Sequence, residues 1–320
     1  VTEVSTLDHL IKMEIINLVK FSEKFKGIEL HLKIGGKYIK LNYSTDHFIE
    51  ILRKLQQKDV KEVYVVEADC DRIMESVASS LSSKNFYDPQ TVQSKKVENL
   101  SAAMDTVKGV INQLGVRPET IKLLKTINER SMALLAESSS IFSFIKEFKK
   151  NCSEEFLFSV ITNYLMSLVI DHFSWKSEQV KEKGSLASML CDLTLSKEDF
   201  KLLRHWQQFG GELSDKIKNH PADIAKKLEH YKHLVPSEVI TIVLQHHELP
   251  DGKGFPHGIL GTHFNQLSTI FIICQRFNEL LSENDYNYEL RLGIIEKLNA
   301  TYGSVKMFDK AINALTKVVA

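Results

Sequence analysis

Apolar residues recur along this chain in two rhythms, and the change between them divides it. Leu7, Leu10, Ile11, Ile15, Leu18 and Val19 stand at helical spacing, which predicts a helix within residues 1–24. Ile28, Leu30, Leu32 and Ile34 then alternate with Glu29, His31 and Lys33, the period of a half-buried strand. Gly35-Gly36 suits a tight hairpin turn, and Tyr38, Ile39 and Leu41 carry the returning strand. A helix over about 46–57, a strand over 60–66 and a helix over 70–81 complete a small α/β module, assigned to residues 1–85.

Residues 82–94 are polar and contain Pro89, as a linker does. From Val97 to Lys150 the spacing is helical, with a break at Gly115-Val116-Arg117-Pro118, and residues 86–150 read as a helical connector. Beyond 150 the pattern is helical throughout. Ser153 precedes Glu154 and Glu155, Ser196 precedes Asp199 by three residues, and Pro236-Ser237 opens a further apolar stripe. Residues 151–320 are therefore expected to form an all-α domain, and the fold class is α+β overall.

Composition narrows the function classes. Lys+Arg and Asp+Glu both number 41, so nothing favours DNA binding or a charged membrane surface. Four widely spaced cysteines without a CxxC pair suit reduced thiols. The most apolar run, Leu267 to Cys274, is too short to span a bilayer, and no opening stretch resembles a signal peptide, so a cytoplasmic protein is expected.

The candidate chemistry gathers at His246–Gly258, HHELPDGKGFPHG. Paired imidazoles suit transition metals, and glycines let backbone approach a bound group closely. The string resembles the HHExxDGxGYPxG signature of the HD-GYP family, bacterial phosphodiesterases that hydrolyse cyclic di-GMP, with Phe255 at the family's tyrosine. The resemblance implies a helical bundle over residues 151–320 whose inward His and Asp side chains hold two or three metal ions. Cys191-Asp192 falls at the His-Asp dyad, so the Asp is kept and the His is replaced. His220-Pro221 matches the next ligand, and His246 and His247 are both present. Phe158 stands at the early His, Leu195 at the lysine, Thr269 at the late arginine, Gln275 at the late metal Asp, and Asn278 at a second Asp.

The departures fall on one metal. The early His, the dyad His and the late Asp of the first site read Phe158, Cys191 and Gln275, whereas Asp192, His220, His246 and His247 preserve the second. The resemblance therefore implies one transition metal ion (Fe, Mn or Zn) and impaired hydrolysis, because two-metal displacement needs both ions and the cationic contacts. Asp251, Gly252, Gly254 and Phe255 are expected around the ligand, Asp251 either shaping the turn or orienting a ligand histidine. Three functions stay open. The chain is a signalling protein that binds a cyclic dinucleotide or a partner, a mononuclear metal-dependent phosphohydrolase, or a scaffold with a vestigial pocket. A protein partner or homodimer contact is expected through the N-terminal module or the helical connector.

Overall fold

The computed structural model describes residues 10–320 except 22–24, 26, 45–46, 84–85, 87, 89, 139–140 and 210–211. It forms two compact units divided between Leu134 and Leu135. The first contains strands β1 (Leu10–Glu14), β2 (Leu30–Ile34), β3 (Lys37–Lys40) and β4 (Glu62–Val66). Its helices are α1 (Ile15–Phe21), α2 (Phe48–Gln57), α3 (Glu67–Leu81) and α4 (Gln93–Leu114), with α5 (Pro118–Glu137) crossing the division. The strands form one antiparallel sheet in the order β1-β4-β2-β3.

Among the described residues of the first 24, the expected helix is confined to α1, and a strand precedes it. Leu10–Glu14 is an edge strand paired with β4, Leu10 opposite Val66 and Met13 opposite Val63. Ile11 and Met13 are buried and Lys12 and Glu14 exposed, a period of two that the helical spacing into Ile15 and Leu18 overlays. Leu7 and Asp46 lie outside the described residues. The hairpin turn is as expected, with Gly35 and Gly36 at φ 56° and 83°. Gln113 of α4 accepts a hydrogen bond from the Lys12 N–H and donates one to the Lys12 carbonyl, which covers part of the edge of β1.

The second unit is helical: α6 (Ile141–Phe148), α7 (Glu154–Ile170), α8 (Glu178–Leu190), α9 (Lys197–Phe209), α10 (Asp215–Glu229), α11 (Ser237–Gln245), α12 (Gln266–Glu283), α13 (Arg291–Tyr302) and α14 (Lys306–Val319). Caps set the starts. The hydroxyls of Ser153, Ser177 and Ser214 accept from the third N–H of α7, α8 and α10, and Asn265 caps α12 in the same way. Ser196 accepts from Asp199 N at 3.1 Å and donates to its carboxylate at 2.7 Å. Helix α12 is buried nearly all round, from Ser268 to Leu281, and packs against α7 and α14. Helices α8 and α11 pack together, as do α10 and α11, and α11 also packs against this core helix. Among the described residues no helix is long and apolar enough to cross a membrane.

Candidate metal centre

Asp192 lies just past the end of α8, His220 within α10, and His246 and His247 just past the end of α11. One ligand atom from each of the four lies within 4.8 Å of every other. The local backbone decides which nitrogen each of two histidines presents. Pro221, inside α10, has no N–H for the Ile217 carbonyl, a defect that costs a helix about 3 kcal/mol or more. The His220 Nδ1 sits 2.6 Å from that Ile217 carbonyl. His246 Nδ1 is likewise 2.6 Å from the carbonyl of Val243, in the last turn of α11. A carbonyl oxygen only accepts, so both Nδ1 atoms carry a proton, and in the neutral tautomer that this selects the Nε2 lone pair turns inward.

Those lone pairs converge. His220 Nε2 and His246 Nε2 are 3.2 Å apart and stand 3.3 and 3.6 Å from Asp192 Oδ1. Asp192 Oδ1 and His247 Nε2 are buried without a hydrogen-bond partner. Buried acceptors facing one another cost about 1–3 kcal/mol each unless a proton donor or a cation lies between them. The donor set of three imidazoles and one carboxylate, with two rings oriented by backbone carbonyls, therefore fits a transition metal ion. Burial holds the His246 imidazole below its usual range; burial, then the neighbouring His246 and His220, hold His247 well below it. Neutral imidazole is the form that ligates. Burial alone would raise the Asp192 carboxyl; hydrogen bonds from His220 and His246, made when an Nε2 carries a proton, outweigh it and pull the group well below the usual carboxylate range, and a cation between the three would act in the same direction.

The other sequence-selected positions separate into groups. Cys191 is buried beside the centre, and burial followed by the Asp192 charge pushes its thiol well up, so it stays protonated and donates to Asp192 Oδ2 at 3.5 Å. Phe158 and Leu195 are buried together with Phe200 in an apolar cluster. Gln275 lines the cavity beside the histidines, its Oε1 buried without a partner. Thr269 is buried and donates to the Gln266 carbonyl, and Asn278 donates to the Phe158 carbonyl and Thr162 Oγ1 of α7.

The glycine-rich loop folds back over the centre. Phe255 stacks on His247 at 4.7 Å between ring centroids. A Cβ at Gly254 would stand 2.2 Å from Leu249 N and 2.4 Å from Glu248 Cα, so only glycine fits the chain this close to itself. Gly252 adopts φ 79°. Asp251 reaches no histidine: its exposed carboxylate accepts from Lys253 N at 3.0 Å and shapes the turn. We expect Gly254→Ala to destabilise the second unit by about 1–3 kcal/mol through overpacking and to loosen Phe255 from His247. Thermal unfolding measures it, and an alanine variant as stable as the parent would contradict the close approach.

Two residues of the site lay outside the sequence reading. Glu248 is buried and its carboxylate accepts from His257 N at 2.7 Å and Ile259 N at 3.0 Å, tying the loop to the end of α11. Its signal was present, an acid between two histidines and a loop rich in unpaired N–H groups. Arg204 of α9 is 6% exposed and lines the same cavity. An arginine in an amphipathic helix gives no sequence cue to burial. The cavity measures about 80 Å³, room for roughly five to eight water-sized groups.

Residues 164–309 match the HD domain family. Over 178 residues the chain is 23% identical to the cyclic di-GMP phosphodiesterase PA4108 of Pseudomonas aeruginosa, an alignment covering 54% of this chain and 41% of that relative. The chain thus spans less than half the length of the curated relative it matches. Among solved structures it resembles Bd1817, an HDG"Y"P protein from Bdellovibrio bacteriovorus, with a TM-score of 0.53 and 14% identity over 97% of this chain and 99% of that one. The structural likeness is one of fold. Together the matches are consistent with the HD-GYP family.

Proposed function

We propose that this chain, whose residues 164–309 match the HD domain, is a one-metal relative of the cyclic di-GMP phosphodiesterases that binds a phosphodiester ligand and hydrolyses it poorly. The observation that carries the reading is the pairing of a complete donor set with a filled one. Asp192, His220, His246 and His247 converge with unpaired atoms, while Phe158 and Leu195 pack into an apolar cluster and Cys191 stays a thiol. A metal ion bound there would supply Lewis-acid polarisation of a phosphoryl oxygen. The chain's own contributions are orientation of the His220 and His246 imidazoles by the Ile217 and Val243 carbonyls and the stacking of Phe255 on His247.

Leu195 and Thr269 offer no charge where the family resemblance places lysine and arginine. Each missing oxyanion-type donor is worth ~3 kcal/mol, so the two together cost ~10⁴ in rate. The ligand signal would pass to a protein partner or a second copy through residues 1–150, the assigned module and connector.

Calorimetric titration of the metal-loaded chain with cyclic di-GMP, with product followed chromatographically, tests this. Binding is expected, with turnover far below ordinary enzymatic rates of ~10 s⁻¹. Turnover at that level would overturn the impaired reading, and absence of binding would leave a scaffold. The orphaned Asp192 and His247 atoms favour one further reading, a mononuclear phosphohydrolase, marked by slow turnover of simple phosphoesters that vanishes in Asp192→Ala.

A further inference from the structure

The ground vacated by the first metal set is not empty of charge. Arg204 reaches into it from α9, its guanidinium lying over the Phe158 ring and 4.9 Å from the centroid of Phe200. Phe158, Leu195 and Phe200 form the apolar wall beneath it, with Leu203 alongside. The residues at the early-His and lysine positions are thus the surface on which this guanidinium stacks. Arg204, Gln275, His246 and His247 line one cavity.

The guanidinium is under-used where it lies. Nη1 stands 3.2 Å from Glu279 Oε1, with side-chain exposures of 4% and 13%, and neither Nη atom makes a hydrogen bond of good geometry. Glu279 is also shared, because its Oε2 takes Arg276 Nη1 at 2.7 Å. Glu279 thus divides its carboxylate between the buried Arg204 and the half-buried Arg276. The other acid of the wall, Glu248, is committed to two loop N–H groups, and Asp192 nearby belongs to the metal donor set. A buried guanidinium with idle N–H groups is costly, and anionic oxygen is the chemistry that satisfies it. Stacking fixes its plane and leaves its edge N–H groups to donate, which a lysine cannot reproduce.

We propose that Arg204 stands in for the lost first metal as the cationic contact for a phosphoryl oxygen of the ligand held at the Asp192–His220–His246–His247 centre. The cavity of about 80 Å³ has room for one phosphoryl group beside Arg204, with the rest of a larger ligand lying outside it. The inference rests on the reading of that centre as a metal site. A purely structural Arg204, clamping α9 to α12 through Glu279, is the competing account.

The full chain is loaded with one equivalent of Mn²⁺, metal content is checked by elemental analysis, and inorganic phosphate is titrated by calorimetry and by ³¹P relaxation. Arg204→Met should keep its manganese and weaken phosphate at least ~10-fold, the order of a lost charge-assisted bond. Arg204→Lys should fall between the two, and Glu279→Gln should bind phosphate as tightly as the parent or more tightly, because it releases the guanidinium. Phosphate binding unchanged in Arg204→Met, absent in the parent, or weakened equally by Glu279→Gln would overturn the proposal. Should Arg204→Met not fold, the Arg204→Lys and Glu279→Gln pair decides by the same signs. A parent that takes up no manganese would contradict the metal centre instead, and phosphate titration of that metal-free protein still tests Arg204 alone.

Discussion

Asp192→Asn is expected to change the protein's stability in opposite directions with and without metal. In the neutral tautomers that the backbone carbonyls select, wild-type Asp192 Oδ1 faces two Nε2 lone pairs at 3.3 and 3.6 Å with no proton between them. An asparagine can turn its NH₂ toward both nitrogens, replacing buried acceptor repulsion with hydrogen bonds worth about 0.5–1.5 kcal/mol each. The metal-free variant should therefore melt higher than metal-free wild type. With metal the order reverses, because the variant loses the one anionic ligand and with it the stabilisation that binding gives the folded state. Paired thermal scans in chelator and in excess Mn²⁺ read both arms. A variant less stable than wild type in chelator, or one stabilised as much by metal, would remove the argument from converging acceptors.

The second large effect is on His246→Ala/His247→Ala. His246 is buried with its Nδ1 fixed on Val243, and His247 packs under Phe255 with a buried, unpartnered Nε2. Second-shell losses alone cost 10–100-fold in metal affinity, so removal of two direct ligands should abolish binding at micromolar metal. The variant should elute without metal while retaining helical circular dichroism, because α11 ends before either residue. Retention of a stoichiometric metal would show that these imidazoles are not ligands.

Much of this was legible from local pattern because local physics fixes it. The serine caps at 153 and 196, the Gly35-Gly36 turn and the helical bundle follow from hydrogen bonds and spacing within a few residues. The candidate metal donors were legible through the resemblance of HHELPDGKGFPHG and His220-Pro221 to a family pattern, whereas the carbonyl that the proline frees to set the His220 tautomer is seen only in the fold. What was not legible depends on distant partners. Leu10–Glu14 is a strand because β4 lies beside it, whereas its spacing into Ile15 and Leu18 is equally helical. Arg204 sits within an ordinary amphipathic stretch, and only the approach of Phe158 from α7 and Glu279 from α12 makes it a buried cation. Of the two readings of Asp251, the turn is the one the geometry matches: its carboxylate accepts from Lys253 N, and backbone carbonyls already hold His220 and His246.

The central claim is that one metal set is complete and the other is closed by Phe158, Leu195 and Arg204. The most direct measurement is the metal stoichiometry of the full chain, by elemental analysis after reconstitution with excess Fe²⁺, Mn²⁺ or Zn²⁺ under reducing conditions and removal of free ion. The account predicts one ion per chain, lost in His246→Ala/His247→Ala. Two ions per chain would contradict the closed first site, and none would contradict the metal centre itself.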